Sequence, residues 1–220
     1  NYIKQIYPPI DLSIYKPLNK NKVCQQVFSE IGSEKILLYI GRTNNSRFPL
    51  PTLRCISRAL DSVDKEARII IAVLPDIQSR IWITKATKII KKEELRNVII
   101  KPKVLSIREK VVLMNCSRAF IFPSITTTAI EPPISVLEAI SCGLPIVTTG
   151  HNSTREIAYA TGGFVYSNFC DENALKRLFV ELLSRTSEVT RARSWAENNL
   201  SYTIFRKKLI DVYKSVIDSL

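Results

Sequence analysis

The sequence predicts an α/β fold built on a doubly wound parallel sheet of about six strands. Short apolar, β-branched runs recur along the chain at 36–40, 68–74, 97–100, 119–122, 146–149 and 164–166. The runs are continuous rather than alternating, which is the pattern of strands covered on both faces. Between them lie stretches with helical periodicity, and strand–helix alternation is what a parallel sheet with crossover helices requires.

Taken in order, the first run is Ile36–Ile40, and a helix follows whose face carries Leu53, Ile56, Leu60 and Val63. Arg68–Leu74 is the second strand. The amphipathic stretch Lys88–Arg96 after it mixes charge signs and reads as a solvated helix surface. Asn97–Ile100 and Ala119–Phe122 are the third and fourth strands. A short apolar helix is predicted from about Ile134 to Cys142, with Pro133 suited to its first turn, Gly143 at its C-terminal cap and Pro145 blocking continuation. Ile146–Thr149 and Phe164–Tyr166 complete the sheet. Leu175, Leu178, Phe179 and Leu182 mark another helix face. The stretch 202–220 is a long amphipathic helix with Phe205, Leu209, Val212, Val216 and Leu220 on or near one face. Residues 1–20, with the Pro-rich YPPIDLSIYKP, read as an interdomain linker, and residues 21–201 as the α/β domain.

Composition narrows the function. With 220 residues and 45% hydrophobic content the chain can bury a substantial core, and no apolar run reaches the ~18 residues of a membrane span. The formal net charge of +12 favours an anionic partner. Specific nucleic-acid binding is not expected, since no helix-turn-helix, zinc-finger or aromatic RNA-binding motif is present. The five cysteines, widely spaced and without C-x-x-C, read as reduced, mostly buried thiols of a cytoplasmic protein, and no metal site is expected. His151, the single histidine, reads as a loop residue.

In an open parallel sheet, ligands bind beyond the carboxyl ends of the strands. After the first strand, Gly41 lets the backbone turn, and Arg42 and Arg47 follow in a polar loop. Two guanidiniums there can grip a diphosphate. Neither a dinucleotide fingerprint nor a P-loop is present. After the fourth strand, Glu131 precedes the Pro132–Pro133 pair and Glu138 lies one turn inside the short apolar helix. A carboxylate inside a buried helix is costly unless paired, and vicinal ribose hydroxyls would pair with it. Glu131 stands close to a helix N-terminus, where free N–H groups and the dipole favour an anion. The bland alternative is a helix-dipole role for Glu131 and an internal salt bridge for Glu138.

These motifs together resemble the C-terminal, nucleotide-sugar-binding half of GT-B-type, group 1, glycogen-synthase-like glycosyltransferases. YPPIDLSIYKP is similar to the family's interdomain segment, LLYIGR to the first strand of its C-terminal domain, and CSRAFIFPS to a later strand. EPPISVLEAISCGLPIVTT resembles its paired-glutamate signature, and REIA at Arg155–Ala158 a following helix. The glutamates are one residue closer than is usual, and Gly150–Arg155 lacks the usual Gly-Gly. The resemblance implies a Rossmann-like fold and metal-independent, retaining transfer from a UDP-, GDP- or ADP-sugar, without a cofactor. It implies that Gly41, Arg42 and Arg47 meet the diphosphate, that Glu138 binds the ribose, and that Glu131 is the catalytic residue beside the sugar. Pro133, Ile134, Ser135 and Val136 would offer backbone contacts to phosphate or sugar, and Lys103 and Val104 would hold the base. The acceptor, a sugar, protein or lipid, would be bound by an N-terminal half expected to lie outside these 220 residues. A peripheral position on an anionic membrane face is a further expectation. The alternatives are a related GT-B enzyme, such as a nucleotide-sugar epimerase or phosphorylase, or a basic nucleic-acid-binding module.

Overall fold

A computed structural model describes residues 5–126, 131–150, 153–166, 168–184 and 189–218. His151, Leu220 and residues 127–130 of the polar loop lie outside them. Six parallel strands form one sheet: β1 (Ile36–Gly41), β2 (Arg68–Val73), β3 (Val98–Lys101), β4 (Ala119–Phe122), β5 (Ile146–Thr148) and β6 (Phe164–Val165). Their order across the sheet is β3-β2-β1-β4-β5-β6. The doubly wound expectation holds, and the six apolar runs match the strands to within a residue or two. The buried register explains why. Leu37 and Leu38 of β1 pair with Ile69 and Ile70 of β2 on one side and with Ala119 and Phe120 of β4 on the other, and all six are fully buried. Strands shielded on both faces have no solvent side for polar residues to occupy.

The helices are α1 (Lys20–Val23), α2 (Gln25–Ile31), α3 (Leu50–Val63), α4 (Ile77–Lys92), α5 (Ile107–Cys116), α6 (Ile134–Ser141), α7 (Ser153–Thr161), α8 (Glu172–Ser184), α9 (Val189–Asn199) and α10 (Tyr202–Ile217). Helix α3 buries Leu53, Ile56, Ala59 and Leu60, and α8 buries Leu175, Leu178, Phe179 and Leu182. Both faces follow the helical repeat visible in the sequence. Helix α5 starts at a capping box: Ser106 Oγ accepts from Glu109 N–H, and the Glu109 carboxylate accepts from Ser106 N–H. Helix α10 buries none of its residues; Tyr202, Ile210, Tyr213, Val216 and Ile217 are exposed along it. No helix among the described residues is long and apolar enough to cross a membrane.

One expectation is overturned. Cys24 and Cys116 are joined in a disulfide that ties the start of α2 to the end of α5, with their Cα atoms 5.4 Å apart. Only Cys55, Cys142 and Cys170 are free thiols. The pair is 92 residues apart in sequence, and no local spacing rule could have matched them.

The segment before α1 is fastened to the domain at several points. Ile10 N–H donates to Leu200 O at 2.8 Å, and Leu18 N–H to Asn115 Oδ1 at 2.7 Å. Arg193 of α9 donates to Tyr15 O at 2.7 Å, Ser141 O at 2.9 Å and Leu12 O at 3.2 Å. Ile10 and Tyr15 are buried. The segment therefore runs as a strap across α6 and α9.

Candidate functional site

The strand order reverses between β1 and β4, and a doubly wound sheet opens its ligand crevice where neighbouring strands send their crossovers to opposite faces. The loops leaving these two strands, 42–49 and 123–133, carry most of the residues singled out in the sequence.

The β1 loop is rigidly built. Tyr39 is buried, and its hydroxyl donates to Arg42 O at 2.5 Å. A Cβ added at Gly41 would stand 3.3 Å from that same hydroxyl, so the glycine admits the tyrosine under the turn. Asn44 Oδ1 accepts from the N–H groups of Ser46 and Arg47 at 2.9 and 2.8 Å, a local turn that fixes the Arg47 backbone. Ser46 O accepts from Ile125 N–H at 2.8 Å, stitching the β1 loop to the β4 loop. Arg42 is exposed and its Nε lies 3.3 Å from Asp76 Oδ2. Asp76 also accepts from Ser79 N–H and so caps α4. Those bonds, chiefly the one from Ser79 N–H, lower the Asp76 pKa.

The β4 loop leads into α6 through a cis Glu131–Pro132 bond. Pro133 is the N-terminal cap residue in an extended conformation. Pro133 has no N–H, and Val136 N–H already donates to Pro133 O at 3.0 Å. Of the four backbone positions expected to serve a ligand, this leaves Ile134 and Ser135 as the N–H donors of the first turn. Glu131 is half-buried. Its Oε2 accepts from Ser153 Oγ, 3.1 Å away at the first residue of α7. The carboxylate thus meets the N-terminus of α7, a helix end that favours negative charge.

Glu138 is buried in α6, its side chain 8% exposed. Its Oε1 accepts from Tyr15 Oη and from Lys110 Nζ, each at 2.5 Å. The internal ion pair set out as the alternative for this residue therefore exists. Among the described residues, no bond falls on Oε2. The negative charge acts on its surroundings: burial and then Glu138 push the Cys142 thiol up to about 12, and burial with the Glu138 bond raises the Tyr15 phenol. Tyr15 and Lys110, which bond Glu138, and Arg193, which holds the Tyr15 carbonyl, are residues that sequence reasoning does not single out. Tyr15 sat in plain view in the Pro-rich motif, but nothing local tells a strap from a linker.

Lys103 and Val104 lie in the loop between β3 and α5, apart from the two stitched loops. Lys103 Nζ is bound to Glu109 Oε1 at 2.5 Å, and its N–H donates to Lys101 O at 3.0 Å. Val104 is exposed.

Comparison with known proteins agrees with this architecture. Anabaena Alr3699/HepE, solved in complex with UDP and glucose, has a TM-score of 0.77 at 14% identity; the match covers 96% of this chain and 56% of that one. The C-terminal domain of a group 1 glycosyl transferase, LpcC of Francisella tularensis, has a TM-score of 0.70 at 11% identity, covering 88% of this chain and 99% of that one. At such identities the likeness is one of fold. In sequence, the putative colanic acid biosynthesis glycosyltransferase WcaL of Salmonella typhimurium is 25% identical over 145 residues, 61% of this chain and 35% of WcaL. The chain thus spans about a third of that relative's length. The model of the family described as glycosyl transferases group 1 matches residues 26–200, most of the α/β domain, and the chain belongs to that family.

Proposed function

We propose that this chain is the donor-binding half of a retaining glycosyltransferase and holds a nucleoside-diphosphate sugar at the carboxyl edge of its sheet. The observation that supports this best is the joining of the β1 loop, with Arg42 and Arg47, to the β4 loop that leads into α6. In this reading the two guanidiniums and the Ile134 and Ser135 N–H groups face the diphosphate, and Gly41 lets the backbone come close. Glu138 Oε2 accepts from the ribose, and Glu131 stands by the donor sugar and the reacting centre. Lys103 and Val104 border the base through their backbone.

The chemistry asked of these groups is stabilisation of charge. As the sugar leaves, negative charge grows on the diphosphate, and fixed cationic and N–H donors nearby lower the barrier. No metal or cofactor enters this scheme. The acceptor belongs to a second half facing the crevice, and the excess of Lys and Arg rests against an anionic membrane when the acceptor is lipid-linked.

Calorimetry with UDP, GDP and ADP in EDTA tests the reading. We expect at least one to bind with the chelator present. Binding that disappears on chelation refutes the arginine scheme, and binding of none of the three refutes the donor-site reading.

A further inference from the structure

Glu138 is held from one side only. Tyr15 Oη and Lys110 Nζ both donate to Oε1 at 2.5 Å, while Oε2 receives no bond from a described residue. The two donors also hold each other, since Lys110 Nζ lies 5.4 Å from the centroid of the Tyr15 ring. Tyr15 is itself anchored: its N–H donates to Asp11 O at 2.9 Å and its carbonyl accepts from Arg193 at 2.7 Å. A glutamate side chain has three rotatable bonds. Two donors on one oxygen remove that freedom and leave the other oxygen aimed in one direction.

We infer that Tyr15 and Lys110 are positioning residues that fix Glu138 Oε2 toward the ribose, and so set selectivity for ribose hydroxyls in the donor. The inference rests on the donor-site reading above. Lys110 sets a positive charge directly against the buried carboxylate. The Tyr15 phenol, raised by burial, remains a protonated donor at neutral pH. A carboxylate held in advance accepts from a ligand hydroxyl without first being ordered, and preorganisation of this kind appears as affinity.

The test compares UDP, GDP and ADP with their 2′,3′-dideoxy analogues by calorimetry on the full chain. A charged hydrogen bond to a buried group is worth enough that wild-type protein should prefer the ribose form by roughly ten- to a hundredfold. Tyr15→Phe and Lys110→Met should shrink that preference to about threefold or less by releasing Oε2, with dideoxy binding unchanged. Lys110→Arg, which restores a donor to Oε1, should keep most of it. Melting temperatures confirm that each variant folds, and Tyr15→Phe serves as the mild variant should Lys110→Met not.

An unchanged ribose preference in both variants overturns the inference. So does equal weakening of both ligands, which marks a merely structural role, or tighter ribose binding in Tyr15→Phe, which marks Tyr15 as a competitor for Glu138. Wild-type protein that binds no nucleoside diphosphate refutes the donor-site reading, and the inference falls with it. Wild-type protein that binds but ignores the hydroxyls refutes the ribose role of Glu138 while leaving the donor site standing.

Discussion

Replacing Arg193 by Met should loosen the strap that brings Tyr15 to Glu138. The guanidinium donates to three backbone carbonyls, Tyr15 O, Ser141 O and Leu12 O, between 2.7 and 3.2 Å, and its side chain is 19% exposed. A hydrogen bond from a charged donor contributes about 1.5–3 kcal/mol, but bonds that share one donor group are not additive. The ion pair with Glu197, whose side chain is 54% exposed, adds only about 0.3–0.5 kcal/mol. Methionine keeps the apolar stem and removes the fork. A net loss of about 3 kcal/mol is therefore expected, or a fall in melting temperature of about 6–12 °C for a domain of this size. Circular-dichroism melts of wild type and variant measure it. Arg193→Lys should recover only part, because one ammonium does not span three carbonyls. A fall of less than about 2 °C for Arg193→Met would show that the strap is held by its apolar contacts alone, Ile10 and Tyr15 included.

Three further expectations concern the site and its frame. Glu138→Ala should weaken binding of the bare nucleoside diphosphate by about ten- to a hundredfold, whereas Glu131→Ala should spare it and weaken only the intact sugar nucleotide; calorimetry that finds both variants equally weak on the bare diphosphate refutes this division of roles. Removing the Cys24–Cys116 bond as the double alanine variant frees a 92-residue separation, and chain entropy then predicts a loss of about 4–5 kcal/mol, read as a lower guanidinium midpoint. Bonds from Lys103 and Ser106 hold the Glu109 carboxyl down at about 2, against an ordinary 4.5. Its stabilising effect is therefore fully present above pH 4.5 and lost as pH falls toward 2, so melts of Glu109→Gln across that window should show a shallower acid slope than wild type.

The sheet was legible because its signal is local: a strand covered on both faces must be apolar throughout, and Leu37–Tyr39 or Ile69–Val73 carry that requirement residue by residue. Helix α6 was legible for a similar reason, since Pro133, Gly143 and Pro145 punctuate it. The candidate loops were legible as far as the switch-point rule reaches, which is to the segments after β1 and β4. What stayed hidden are pairings between distant positions. Periodicity states which face of a helix is buried but not what it is buried against. Lys110 looks like any lysine of an amphipathic helix until α5 is laid beside α6, and Arg193 looks like any surface arginine until the strap is in place. The cysteines misled for the same reason. The ion pair at Glu138 stands as an alternative to ligand binding, yet it occupies Oε1 alone, and the proposed ribose contact calls only on Oε2.

The strap also bears on the order in which the protein takes shape during synthesis. Tyr15 leaves the ribosome well before its partners: the carboxylate it holds lies 123 residues later, and the arginine that fastens Leu12 lies 181 residues after Leu12. Strands β1 and β2 can pair long before that. The nascent chain therefore carries this segment unfastened until α9 emerges, with Ile10 and Tyr15 open to other contacts. Contacts of such sequence separation form late and slowly, and apolar segments left waiting are those that chaperones and misassembly compete for. The α/β layers can assemble as the chain emerges, whereas the Tyr15–Glu138 contact is secured only once α9 has docked.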